Sequence, residues 1–296
     1  MTDVTSTTLA CERRPSPAAL LWRRFAAQPN AIIGMAIMGL ILLAMAIGPL
    51  VFAGHASSTF EQQDFINSFA PPSGDHLLGT DNFGRDILVR LIHGARYTLA
   101  IGFAAVIAGL AIGVPLGLLS GYIGGWFDLI AQRLVDIVLA FPSFLLALAL
   151  IGVLGTGTVN IIVAVALTSF PRFARLLRAS VLSVKELPYV EAARAMGTPH
   201  WRIVLRDVLP NATAPIIVQS SLEMATAILT ASGLGFLGLG VQQPIPEWGA
   251  MLGEARQYLF TYPNLLTYPG LCIIAVVLAL NLIGDGLRDA LDPRLK

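Results

Sequence analysis

One carboxylate in this chain sits where a charge is costly. Glu223 falls well inside an apolar run, and a charged side chain at the centre of a hydrocarbon layer costs roughly 2.5 to 3.5 kcal/mol on insertion scales. It must face protein or water. Two chemistries fit: a pathway-lining carboxylate that contacts a substrate amine or a coupling ion, or a hydrogen-bonded, protonated residue at an interface between membrane subunits. The remaining titratable groups form no reactive set. His55, His76, His93 and His200 lack ligand spacing for a metal. Cys11 lies in a polar tail and Cys272 in an apolar segment, so they suggest no disulfide framework. Asp136 stands one helical turn from Arg133 and reads as its local partner, and Asp285, Arg288 and Asp289 form a similar cluster near the end. No GxxxxGK[ST] phosphate loop occurs, so any ATP hydrolysis must come from another chain. No catalytic constellation emerges, so the chain is not read as an enzyme and is expected to have no cofactor of its own.

The elements that would position Glu223 are long and apolar. Hydrophobic residues make up 55% of the chain and charged residues 12%, with a mean hydropathy of +0.73, far from the composition of soluble domains. Ala31 to Ala53 is an uncharged run of 23 residues, which as a helix reaches roughly 34 Å and spans a bilayer core. It follows a polar tail of residues 1–30, so it reads as a retained first span and not as a cleaved signal. Tyr97 to Tyr122 is a second uncharged run. Ile137 to Pro171 carries no charge over 35 residues, too long for one crossing, and Gly155, Thr156, Gly157 and Thr158 divide it into two helices with a tight turn. Thr213 to about Gly240 and Leu265 to Gly284 complete an all-α membrane protein of six spans. Between the first two spans, residues 54–96 form a long loop. In it Ile87, Leu88, Leu91 and Ile92 make a helical stripe, with Asp81 or Asn82 as cap, and predict a surface-lying helix entering span two.

A second polar stretch, Tyr189 to Asn211, lies between two of these spans. Pro188 fits a first helical position, good helix formers run from Glu191 through Ala192 and Ala193 to Met196, and Gly197 supplies a left-handed stop. Thr198 reads as the cap of a second short helix behind which Pro199 sits. Trp201, Ile203, Val204 and Val208 offer apolar contacts, and Pro210, after Leu209, closes the segment. Glu191 also suits a solvated helix start, and Arg172, Arg175 and Arg178 suit helix-end anchors in the headgroup region. Fifteen of the nineteen basic residues, among them Arg13, Arg14, Arg294 and Lys296, fall on one side of a six-span layout. The positive-inside rule makes that side, with both termini and the 189–211 loop, cytoplasmic. Arg85, Arg90, Arg96 and Arg256 fall in the two long outer loops. The net charge of +1 gives no support to nucleic-acid binding.

The pattern of Glu191, Ala192, Ala193, Gly197, Leu209 and Pro210 resembles the EAA loop of ABC importer permeases, and Asp207 and Val208 depart from its usual apolar residue. LGTD at 78–81, GRD at 84–86, GAR at 94–96, GFLGLG at 235–240, PEWG at 246–249 and GDGLRDALDPR at 284–294 are similar to the oligopeptide, dipeptide and nickel branch of that family, its C-type subunit in particular. The resemblance covers the chain from about Leu20. It implies the type I importer permease architecture, a homologous permease partner, two cytoplasmic ATP-binding subunits and a periplasmic or extracellular substrate-binding protein, in a bacterial inner membrane. It also implies that Glu191, Ala192, Ala193, Gly197, Trp201, Leu209 and Pro210 couple to the ATPases, that residues 97–290 form the core with a coupling loop at 178–212, and that residues 291–296 end in the cytoplasm. Peptides, nickel, opines, sugars and glutathione-like compounds all remain open as solutes. An ion-coupled secondary transporter or channel using Glu223 is the alternative from another class, and it leaves the 189–211 loop unexplained.

Overall fold

In the computed structural model the described residues are 17–52 and 60–291. The expectations for Arg13, Arg14, Cys11, Ala53, His55, Arg294 and Lys296 therefore lie outside the described residues. Helices dominate: α1 (Pro17–Ala26), α2 (Pro29–Val51), α3 (Ile87–Ile123), α4 (Gly125–Leu139), α5 (Ser143–Leu154), α6 (Thr158–Val184), α7 (Pro188–Ala195), α8 (His200–Arg202), α9 (Leu209–Ala212), α10 (Ala214–Phe236), α11 (Trp248–Ala255) and α12 (Asn264–Leu291). Among them α2, α3, α6, α10 and α12 are each long and apolar enough to cross a membrane, and α4 with α5 makes a sixth candidate.

That sixth candidate differs from the straight helix expected. Its two halves meet at 88°, at the Phe141–Pro142 break. Proline disfavours a helical conformation in the residue before it, so an apolar run of sufficient length still breaks there. The turn at 155–158 is present, with Gly155 at φ +85° and Gly157 at φ +138°.

The surface helix and the second span of the expectation are one element, the 37-residue α3. Its start is not capped by Asp81 or Asn82. Asp86 is the cap, and its carboxylate accepts the Val89 N–H at 3.0 Å. Ile87 and Leu91 are buried in a cluster with Trp248, Met251 and Val276, so this turn belongs to the interior and not to a surface. Farther along, Gly109, Gly113, Gly117 and Gly121 recur every fourth residue and let α3 lie against α6. A side chain at Gly117 would meet the Ala174 carbonyl oxygen at 2.4 Å, and one at Gly113 the Phe170 carbonyl oxygen at 2.6 Å. Small residues at this spacing allow backbones to approach where lipid offers no hydrophobic drive to bring helices together.

Candidate functional site

Three polar regions are distributed along this frame. The first is the loop between α6 and α10. Its opening helix α7 has Pro188 in the first turn and ends in a Schellman motif: Gly197 N–H donates to the Arg194 carbonyl at 2.9 Å and Thr198 N–H to the Ala193 carbonyl at 3.1 Å. The left-handed φ of +74° at Gly197 makes that closure possible, and the space around its Cα is open. Thr198 is not the cap of the following helix. Its N–H is consumed by the motif, and Pro199 occupies the cap position of α8. Beyond α8 the chain continues through a π-helical turn over Ile203–Val208, where Leu209 N–H reaches the Val204 carbonyl. Pro210 does not close the segment either, because it sits in the first turn of α9, where its missing N–H is no loss.

This loop has two faces. Val190, Ile203 and Val208 are fully buried and join the main core with Leu177, Val181 and Ile216, while Leu209 packs against it. Ala193 is buried with them, whereas Glu191, Ala192, Gly197 and Pro210 are exposed. Met196, Trp201 and Leu205 stand out at 77%, 62% and 55% exposure. The end of α3 holds the loop in place: Tyr122 Oη lies 2.8 Å from His200 Nδ1, Arg194 stacks over the Tyr122 ring, and Lys185 donates to the Gly121 carbonyl at 2.9 Å. Asn211 and Tyr189 both donate to the Asp207 carbonyl.

The second region is inside the helical body. Glu223 is buried, and Arg172 Nη1 donates to both its oxygens, at 3.1 and 3.0 Å, while Gln219 donates at 2.9 Å. It is thus not a free carboxylate. Arg172 is the first of three arginines at every third position of α6, and each finds its own acid. Arg175 lies 2.5 Å from Asp136, and Arg178 makes a two-point contact with Asp128 at 2.6 and 2.5 Å. These arginines bind α6 to α10 and α4. Asp136 pairs across helices with Arg175 and not with Arg133, because α4 lies against α6 and brings that guanidinium within reach. Gln219, Glu223, Thr226 and Thr230 fall on one face of α10, a polar stripe through an otherwise apolar span. Asp285, Arg288 and Asp289 are all exposed near the end of α12, and among the described residues no ion pair joins them.

The third region lies at the far end of α3, roughly 50 Å from the loop by helix length. Asp81 accepts from Arg85 Nε at 2.7 Å and from Arg90, and Glu254 of α11 accepts from Arg85 at 2.7 Å and from Arg90 at 3.1 Å. Two acids and two guanidiniums cancel in a place where Arg85 and Arg90 are almost entirely buried. Asp86 also receives His76 at 2.9 Å. Glu247 accepts the Gly249 and Ala250 N–H groups and the Thr98 hydroxyl, and Trp248 Nε1 donates to the Leu91 carbonyl at 2.9 Å. Gly94 permits this contact, since a side chain there would strike the Pro246 carbonyl oxygen at 2.2 Å. Sequence reasoning assigned Arg85 and Arg90 to a loop and overlooked Glu254. The available signal was Arg90 lying beside Leu91 on the apolar stripe, where a charge needs a partner.

Comparison with known proteins finds relatives over most of the chain. The family described as binding-protein-dependent transport system inner membrane component matches residues 113–296, and the N-terminal TM domain of oligopeptide transport permease C matches residues 16–72. The dipeptide transport system permease protein DppC of Alkalihalophilus pseudofirmus is 46% identical over 90% of this chain and 86% of its own. The glutathione transport system permease protein GsiD of Pectobacterium atrosepticum is 44% identical, over 95% and 92% respectively. The di/tripeptide transport system permease protein DppC of Pseudomonas aeruginosa is 46% identical over 95% and 94%. Among solved structures, the MetNI methionine ABC transporter in an inward-facing conformation aligns with a TM-score of 0.56 at 24% identity, covering 69% of this chain and 97% of that one, a likeness of fold.

Proposed function

The chain belongs to the family of binding-protein-dependent transport system inner membrane components, and from that premise we propose that it carries a peptide or a related small solute through a path shared with a homologous permease. It is a multi-pass permease subunit of an ABC importer. On our reading the 185–213 loop and both termini face the cytoplasm, two ATP-binding subunits dock on that loop, ATP is bound by them and not by this chain, and a binding protein delivers solute on the far side.

The observation that carries the docking assignment is the two-faced loop. Val190, Ile203 and Val208 fix it to the core, while Met196, Trp201 and Leu205 are left open, and exposed apolar clusters with charged neighbours mark contact surfaces. Glu191, Ala192, Ala193, Gly197, Trp201, Leu209 and Pro210 keep their proposed coupling role in two groups. Glu191, Ala192 and Trp201 touch the ATPase, and Ala193, Gly197, Leu209 and Pro210 hold the shape that presents them. Because α6 and α10 leave the two ends of the loop and are joined by Arg172 and Glu223, a displacement of the loop moves both helices together. That supplies a lever for switching between outward and inward states. Residues 82–96 are mostly buried, whereas Ile66 and Phe260, at 95% and 96% exposure, offer the contact with the binding protein.

Reconstitution with the ATPases, the partner permease and the binding protein tests this reading. Uptake of a dipeptide into vesicles is expected only when all components and ATP are present. Uptake by this chain alone, driven by an ion gradient, would contradict it.

A further inference from the structure

The Arg172–Glu223 pair leaves one partner open. Glu223 is satisfied, with both carboxylate oxygens taken by Arg172 Nη1 and one of them also by Gln219. Arg172 is not. A guanidinium has five N–H donors, and among the described residues its Nε and Nη2 donate to nothing, while its side chain is 36% exposed against 4% for Glu223. A cation with idle donors is costly toward hydrocarbon, so this face turns to water or to protein in the assembled importer.

Polar side chains continue along α10 beyond Glu223. The stripe of Gln219, Thr226 and Thr230 runs along the same helix as Glu223. A cleft of about 470 Å³, lined by Leu176, Pro215, Val218, Leu222 and other apolar side chains together with Gln219 and Arg288, includes neither Arg172 nor Glu223 and meets the pair through Gln219. Such a volume is in the range that holds a small solute. The sequence alone offered Glu223 as a contact for an amine. The geometry reverses the sign, because the carboxylate is spent on the arginine and the charge left exposed is positive.

We propose that Arg172, steered by Glu223, is the point inside the membrane at which the pathway meets the carboxylate of the transported solute, so that the permease itself favours solutes with a free carboxylate. This inference rests on the importer reading above. Guanidinium and carboxylate match in planar two-point geometry, and Nε with Nη2 is the edge left available for it.

The test uses the complete importer in vesicles, supplied with dialanine and with dialanine C-terminal amide at equal occupancy of the binding protein. ATP-driven uptake of dialanine is expected to exceed that of the amide by on the order of tenfold, the scale of one charge-assisted hydrogen bond. Equal uptake of the two probes by the wild type overturns the inference and leaves the importer reading standing. Uptake of neither overturns the peptide reading and this inference with it. In the doubly neutral variant Arg172→Gln with Glu223→Gln, the ratio of dialanine to amide uptake falls to about one. The swapped variant Arg172→Glu with Glu223→Arg restores an ion pair but sets an acid at the exposed position, and the ratio is expected to stay lost. Recovery of the wild-type ratio in the swap would assign the pair a packing role only. The wild-type comparison needs no variant to fold.

Discussion

The two ends of α3 treat charge in opposite ways. At its start, Asp81, Arg85, Arg90 and Glu254 close on one another out of solvent, and Asp86, Glu247 and Trp248 spend their hydrogen-bonding groups within the chain. Near its end, Tyr122 and Gly121 hold a loop whose buried face is apolar and whose open face carries Glu191, Arg194, Met196, Trp201, Arg202 and Leu205. A closed network rigidifies a local structure and loses heavily when one member is removed. An open surface contributes little to the fold and is available for binding. Sequence motifs mark both ends, LGTD and PEWG at one and the EAA pattern at the other, so motif density does not distinguish them. Burial of the polar groups does.

The largest effect expected from this contrast is at the closed end. Asp81→Ala leaves two guanidiniums buried with a single acid, and removal of one partner from a buried ionic set costs about 3 kcal/mol or more. A drop in the thermal unfolding midpoint of the purified chain checks it, and Glu254→Ala, with its partly exposed carboxylate, falls the same way but less. Next comes Gly197→Val. No atom crowds a side chain there, so the cost is that of the left-handed backbone, about 1 to 2 kcal/mol, and it is confined to the loop. Hydrogen exchange over residues 188–202 should rise while the α3 start stays protected. Tyr122→Phe removes the contact with His200 and is worth about 1 kcal/mol, seen as faster exchange at 199–203.

The smallest effect is a pH dependence. Burial pushes the Glu247 carboxyl above its ordinary value of 4.5, against the Gly249 and Ala250 N–H groups and the Thr98 hydroxyl, which pull it down. The folded chain therefore holds this proton more tightly than the unfolded chain, so its stabilisation is present in full below pH 4.5 and is lost as pH rises through the raised value. A midpoint measured across that window should fall more in the wild type than in Glu247→Gln, and parallel curves would remove Glu247 from the account.

Much of this arrangement was legible in the sequence because its causes are local. The spans follow from apolar length, and the loop's first helix follows from Pro188, the helix formers and Gly197, all within ten residues of one another. The misses are mostly long-range. Arg172 and Glu223 lie on different helices, as do Arg85 and Glu254, and no periodicity along one helix connects them. Asp81 and Asp86 are equally good caps by type, and only the arginines claiming Asp81 decide between them. The break at Pro142 had a local signal, but the uncharged length around it dominated the reading.

Co-purification of the ATPase subunits from native membranes is the most direct test of the open end, comparing the wild type with Glu191→Arg and Trp201→Asp. These positions are exposed, so the variants should keep the wild-type unfolding midpoint, since surface changes away from structural contacts move stability by about 0.5 kcal/mol or less. The account predicts that the ATPases accompany the wild type and are lost from both variants. Retention of the ATPases in both, at wild-type stoichiometry, would contradict the assignment of the loop's open face as the docking surface.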